Sequence, residues 1–271
     1  MALHRSFART DRYSKTHTWS LHLHDPVESP LEALAEELAD RIMRVRCGTT
    51  PVFTAWRERA DGGPAHPATA QAALQAFIAP AFGLPGAPAS DDHLEGFVAE
   101  HLWYALTLDG GAQDGVVMVT KPGFLATSPG GDSLVIHRDG TRTFSYRLWE
   151  LKKCTGGATV GSTVSTAYQQ LDSNGAKYLA EYTSIGQEVD DPGLAAFFGD
   201  LVVNWLEGSP SAGVGVAVHT SQAKVPKKAF TTFGARFPRF TDPVRLRGMI
   251  TAVDDFAAFA RRVREIVWTG L

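Results

Sequence analysis

The chain has 271 residues with 26 Lys+Arg against 29 Asp+Glu, a formal charge of −3, and 44% hydrophobic residues. That length supports one large domain or two small ones with a buried core, and the composition excludes disorder, collagen and coiled coil as global descriptions. No apolar run approaches the ~20 residues of a membrane span, the N-terminus lacks a signal-peptide apolar stretch, and the balance of charge argues against coating nucleic acid by bulk electrostatics.

In chain order, HTWSLHLHD within residues 13–24 alternates as a strand. Ser29 and Glu32 have capping-box spacing and Pro30 takes the first helical position. Leu31, Leu34, Leu38, Ile42 and Val45 then predict an amphipathic helix to about residue 46. DGGPAHP is loop chemistry, PATAQAALQAFIAPAF an Ala-rich helix, and LPGAPAS a second break. Asp91–Leu108 reads as a helix, followed by strands over 115–119, 133–137 and Phe144–Lys152, with a hairpin turn at Arg138–Thr141. A Gly/Ser/Thr-rich loop leads into a helix carrying Val164, Tyr168, Leu171, Tyr178 and Tyr182, and Leu194–Leu206 forms one further helix. Val214–Val218 and Val244–Ile250 are strands, and Phe256, Phe259, Val263 and Val267 mark the last helix. The fold class expected is mixed α/β: a domain over residues 91–271 preceded by a smaller α+β region over residues 1–90, suited to binding a partner. Cys47 and Cys154 are too few for a disulfide scaffold, so the expected location is cytoplasmic.

The chemistry concentrates in PGGDSLVIHRDGTRTFSYRLWELKK, residues 129–153. Glu150 and Lys152, two apart on a strand, point the same way, and the hairpin folds them back towards Asp132. Tyr146 and Leu148 share that face, and charged groups closing an apolar face persist when they have partners. Two carboxylates and an ammonium suit phosphodiester hydrolysis with Mg²⁺, or Mn²⁺, held by the carboxylates. Lys152 would orient or deprotonate the attacking water, or stabilise transition-state charge. The alternative is an ion pair on an exposed strand.

Asp132 followed by Glu150-Leu151-Lys152, on a hairpin after a helix, resembles the PD-(D/E)XK nuclease superfamily with its restriction-endonuclease-like fold. The likeness spans residues 91–220, with Asp132 preceded by Pro129-Gly130-Gly131 rather than directly by the motif's proline. It implies a helix glutamate near the metal, best matched by Glu100 and less well by Glu95. It also implies an assisting Gln or Tyr on the next helix, here Gln170 or Tyr178. Its implied metal ligands are therefore Asp132, Glu150 and Glu100, with Lys152 and Gln170 completing the catalytic set. Within the superfamily the arrangement resembles nucleases of bacterial antiviral defence, the Hachiman type being one candidate, which implies DNA as substrate and a helicase or ATPase partner. RNA as substrate and a non-catalytic restriction-endonuclease-like binding module are the alternatives.

Other features carry plainer readings. Asp139 belongs to the hairpin turn, and Lys153 points to the opposite, exposed face. Gly156–Thr163 has the outline of a phosphate-binding loop, but Ser162 replaces its lysine, which excludes nucleoside-triphosphate hydrolysis while leaving backbone contact with a DNA phosphate open. His17, His22 and His24 lack companion ligands for zinc. Cys154 is expected to be a buried inert thiol. Lys224, Lys227, Lys228, Arg236 and Arg239 interleave with Phe230, Phe233, Phe237 and Phe240, which suits either a nucleic-acid surface or a solvated loop over a core segment.

Overall fold

The computed structural model describes residues 3–111, 115–124, 132–141 and 143–271. The hairpin β1 (Phe7–Tyr13) and β2 (Thr18–His24) leads to α1 (Leu31–Cys47), α2 (Pro51–Ala60) and α3 (Ala68–Phe82). A minute hairpin, β3 (Gly83–Leu84) and β4 (Ala87–Pro88), precedes α4 (Asp91–Gly111). Then come β5 (Val116–Val119), β6 (Ser133–Arg138), β7 (Phe144–Cys154), α5 (Val160–Tyr182), α6 (Pro192–Gly199) and α7 (Leu201–Glu207). The chain ends with β8 (Ala212–Ser221), the single turn α8 (Phe233–Arg236), β9 (Leu246–Val253) and α9 (Phe256–Thr269). The fold is mixed α/β.

Seven strands form one curled sheet in the order β1-β2-β9-β8-β7-β6-β5. Its centre is parallel, β2 with β9, β9 with β8 and β8 with β7, while both flanks are antiparallel. A parallel pair requires a crossover, and α5 to α7 supply it between β7 and β8. Helices therefore cover both faces, and the central strands bury residues of both parities. All of β8 from Ala212 to Thr220 is buried. One core packs Trp149, Leu151, Ala217 and Met249 beneath α1, α3, α4 and α9. The other packs Tyr146, Leu148, Val214, Val216 and Ile250 beneath α5, α6 and α7.

Residues 3–90 share this sheet and the first core. β2 pairs with β9 from Thr18↔Arg247 to Leu23↔Ala252, and Leu34, Leu38 and Ile42 of α1 join the cluster formed with Phe259 and Val263 of α9. The Ser29–Glu32 capping box does not form. The helix begins at Leu31 with Pro30 at its N-cap and no side-chain cap, and Glu32 instead binds Arg262 Nε at 2.7 Å. The single helix expected over 194–206 is two, joined at Asp200, whose φ/ψ of −95°/−3° interrupts the regular turn. Among the described residues, no helix is long and apolar enough to cross a membrane.

Candidate active site

β7 sorts its side chains by alternation. Tyr146, Leu148, Glu150, Lys152 and Cys154 point towards α5, while Trp149, Leu151 and Lys153 point towards α4. Glu150 thus continues an apolar row into the interior and is 0% exposed. Lys152 Nζ stands 2.6 Å from Glu150 Oε1 and forms an ion pair with it. An exposed-strand ion pair is excluded, because one partner has no solvent contact at all.

The β6–β7 register brings in the second carboxylate. Ser133 pairs with Trp149, so one step further places Asp132 opposite Glu150 on the same face. The Leu151 N–H donates to Asp132 Oδ2 at 2.5 Å, extending the ladder with a side chain where β6 has not yet begun. At the same end, Thr120 Oγ1 and Ser133 Oγ are 3.1 Å apart, and Thr120 Oγ1 accepts from the Leu134 N–H at 2.8 Å. Pro129, Gly130 and Gly131, the expected lead into this motif, lie outside the described residues.

Burial is the first cause of the electrostatics here. It raises the pKa of Asp132, which the bond from Leu151 and the charge of Lys152 partly offset. It raises that of Glu150 too, and the Asp132 charge adds to the effect while Lys152 opposes it. Two carboxyls facing each other in a desolvated site hold a proton between them unless a cation replaces it. Glu100 on α4 is pushed up to about 8, by burial and then by Asp132, with Lys152 opposing, so it belongs to the same electrostatic group. Lys152 stays firmly protonated: burial lowers its pKa, but Glu150 and Asp132 more than compensate.

No protein-family model and no curated protein matches the chain. α5 supplies the rest of the site's geometry. Gln170 Nε2 lies 3.2 Å from the Tyr178 hydroxyl, and Asn174 Nδ2 donates to Gln170 O at 3.2 Å. Tyr178 lies close enough to Lys152 to influence its charge. Sequence reasoning missed Tyr182 as a site residue, although it stands one helical turn beyond Tyr178. Its phenol pKa is raised by burial and by the charges of Asp132, Glu181 and Glu100, while a bond with Thr120 opposes. The signal was the i, i+4 stripe Gln170, Asn174, Tyr178, Tyr182.

The structure separates Glu100 from Glu95. Glu95 Oε2 lies 3.5 Å from Lys153 Nζ, which also reaches Asp92 Oδ1 at 2.6 Å, so Lys153 tethers α4 to the sheet instead of pointing into solvent. Among the described residues, no three His, Cys, Asp or Glu side chains stand together so as to hold a metal ion, and Glu100 does not join Asp132 and Glu150 in such a group. A Mg²⁺ site does not require three, since that ion uses one or two carboxylates with waters and substrate oxygens.

The remaining candidates take structural roles. Phe230, Phe233, Phe237 and Phe240 are buried in the second core, so they do not stack on nucleic acid. Lys224 binds the carbonyls of Gly156 and Ala158, Arg236 lies 3.6 Å from Asp172, and Arg239 lies over Trp205. In the Gly156–Thr163 loop, Thr159 and Ser162 form the capping box of α5. His17 sits against Ser14 and Thr16, His22 against Ser20, and His24 against Ser29 O. Cys154 is a buried free thiol. Asp139 Oδ1 accepts from the N–H groups of Thr141 and Thr143, the turn role expected of it.

Proposed function

We propose that the chain is a Mg²⁺-dependent nuclease, active with Mn²⁺ as well, that hydrolyses DNA phosphodiester bonds. The observation that carries this reading is the fully buried Glu150, facing Asp132 across the ladder, with Lys152 2.6 Å from one of its oxygens. Such a carboxylate is costly to ionise, and a divalent cation is the partner that reverses the cost. The donor set fits a hard cation: oxygen ligands only, at the carboxyl end of β7, where parallel strands commonly open their ligand sites.

Asp132 and Glu150 would hold the ion, with Glu100 supporting them electrostatically from α4. The bound cation supplies Lewis-acid polarisation of the scissile phosphate and makes water a better nucleophile. Lys152 is held protonated by both carboxylates and sits where it can orient the attacking water or neutralise charge developing on the phosphate. Water adds to phosphorus, the ester P–O bond breaks, and the leaving oxygen takes up a proton. On the α5 side Tyr178 lies near Lys152 and accepts from Gln170 Nε2.

The same proposal makes the chain the effector of an antiviral defence system, working with a helicase or other ATPase that delivers DNA. The support is the resemblance to Hachiman-type nucleases and the −3 charge, which gives little unaided grip on a polyanion.

The test is Mg²⁺-dependent cleavage of linear DNA by purified protein, with and without a helicase or ATPase encoded beside it. Glu150→Ala and Lys152→Ala should each abolish cleavage with unchanged circular dichroism. Full activity in both variants overturns the reading.

A further inference from the structure

α4 ends at Gly111, and the sheet face beyond it carries two adjoining cavities of about 60 Å³ and 200 Å³. Arg9, Arg147 and Arg247 line both. They come from β1, β7 and β9, three segments far apart in the chain, and strand alternation puts them all on the face that carries α4. The partner of Arg147 on β8 is Gly213, and the partner of Arg247 is Gly215. The strand between the two arginines therefore presents no side chain. Arg247 lies across Gly215 from Trp149, two residues further along than Arg147, so about 12 Å separates the two arginines at the backbone, a span that long guanidinium side chains leaning inwards narrow.

The cleft is shaped as well as charged. Arg147 Nη1 lies 3.1 Å from His137 Nε2 and Nη2 donates to Val244 O at 2.9 Å, which fixes the plane of its fork. Arg12, from the other face of β1 and stacked over Trp19, reaches the outer rim. Among the described lining residues Asp11 is the one acid, and it accepts from Arg9 Nε at 3.1 Å. The nearby His22 is held neutral, its pKa pushed down to about 4 by burial and by the Arg9 charge, with Arg247 adding to the effect and Asp11 opposing. Trp149 and Met249 give the inner cavity an apolar wall.

We propose that this arginine-lined cleft binds phosphate groups, as a second anion site on the sheet face opposite Glu150 and Lys152. Planar guanidinium forks from three directions match phosphate oxygens in a way that lysines do not. The phosphate joins contacts these side chains already make. Its source is either a nucleotide di- or triphosphate or the backbone of a nucleic-acid strand, and the site does not depend on the nuclease reading.

The full-length chain is tested by fluorescence anisotropy at low salt in EDTA, so that cleavage plays no part. The probe is a labelled single-stranded oligodeoxynucleotide, with pyrophosphate and ATP as titrants and competitors, their direct binding read by tryptophan fluorescence. Arg9→Glu lies on an exposed edge strand and should leave thermal stability intact. It and Arg247→Gln should each weaken phosphate binding at least about tenfold. Displacement of the oligonucleotide by pyrophosphate and ATP, or arginine-dependent binding of those two alone, identifies a nucleotide site. Arginine-dependent oligonucleotide binding that resists them identifies a strand site, with affinity falling steeply with salt. No binding by any of the three probes, or wild-type affinity in both arginine variants, overturns the proposal.

Discussion

Asp132 lies directly across the β6–β7 ladder from Glu150, although 18 residues separate them in sequence. The bond from the Leu151 N–H to Asp132 Oδ2 fixes this placement, and the Asp132 backbone begins where the strand pairing stops. The carboxyl therefore serves two ends at once: it completes the ladder and it presents its second oxygen to the space in front of Glu150.

Asp132→Asn separates those ends, because the amide oxygen still accepts from Leu151 while the negative charge is gone. The wild-type protein should gain about 2.7 kcal/mol of stability at a Mn²⁺ or Mg²⁺ concentration a hundredfold above its dissociation constant. The Asn variant should gain under about 0.5 kcal/mol under the same conditions. Calorimetric titration and the thermal midpoint with and without metal check this. An equal metal-dependent shift in the variant would remove Asp132 from the ligand set.

Glu100 predicts how stability varies with pH. Its folded pKa is near 8 against an ordinary value of 4.5, so the folded chain binds a proton there that the unfolded chain releases. A group with a raised folded pKa contributes stability that is full below about pH 4.5 and is lost as pH rises through 8. The metal-free protein should lose on the order of a few kcal/mol across that window. Glu100→Gln, neutral at every pH, should reduce the slope in urea denaturation from pH 5 to 8.5, the remainder belonging to Glu150 and Asp132, whose pKa values burial raises as well. A Gln variant with the full wild-type slope would show that Glu100 is not the group being titrated.

The parts of this arrangement legible in sequence are those in which one periodicity governs a whole element. β7 and α4 bury long apolar rows, so their residues and the side-chain direction of Glu150 and Lys152 follow from spacing. β1 was not legible: Phe7 is its only buried residue, and an exposed edge strand such as Phe-Ala-Arg-Thr-Asp-Arg-Tyr carries no apolar alternation. The role of Lys153 was hidden for another reason. Its partners, Asp92 and Glu95, lie on a helix whose placement over the sheet is decided by tertiary packing. The arginine cleft is assembled from three strands non-adjacent in sequence, so no local window contains it.

Adjacent lysines on opposite faces give a paired control. Lys152→Ala should remove catalysis, since it leaves Glu150 and Asp132 without the ammonium that opposes their repulsion. Lys153→Ala should keep most of the activity and instead loosen the tether to α4, by about 1 kcal/mol for a partly screened pair. Activity assays beside urea melts read both quantities. Loss of activity in the Lys153 variant with no loss of stability would reverse the assignment of the two faces.

Gly215 is the position where the sheet can least accept a side chain. A Cβ there would come 2.1 Å from Trp149 Cδ2, and the indole cannot retreat because it is buried against Trp103 at a ring separation of 5.2 Å. Gly215→Ala should therefore destabilise by at least about 1–3 kcal/mol, the usual cost of overpacking. The urea midpoint should fall while the slope stays constant, because the surface exposed on unfolding hardly changes. Trp149→Leu removes the obstructing ring at a cost of its own, and combined with Gly215→Ala it should be less destabilising than the sum of the two single changes. Since Trp149 precedes Glu150 on β7, displacement of the indole also shifts the carboxylate. The Gly215 variant should then lose metal affinity even at pH and temperature where it is fully folded, and strict additivity of the pair would show that the ring and the glycine do not meet.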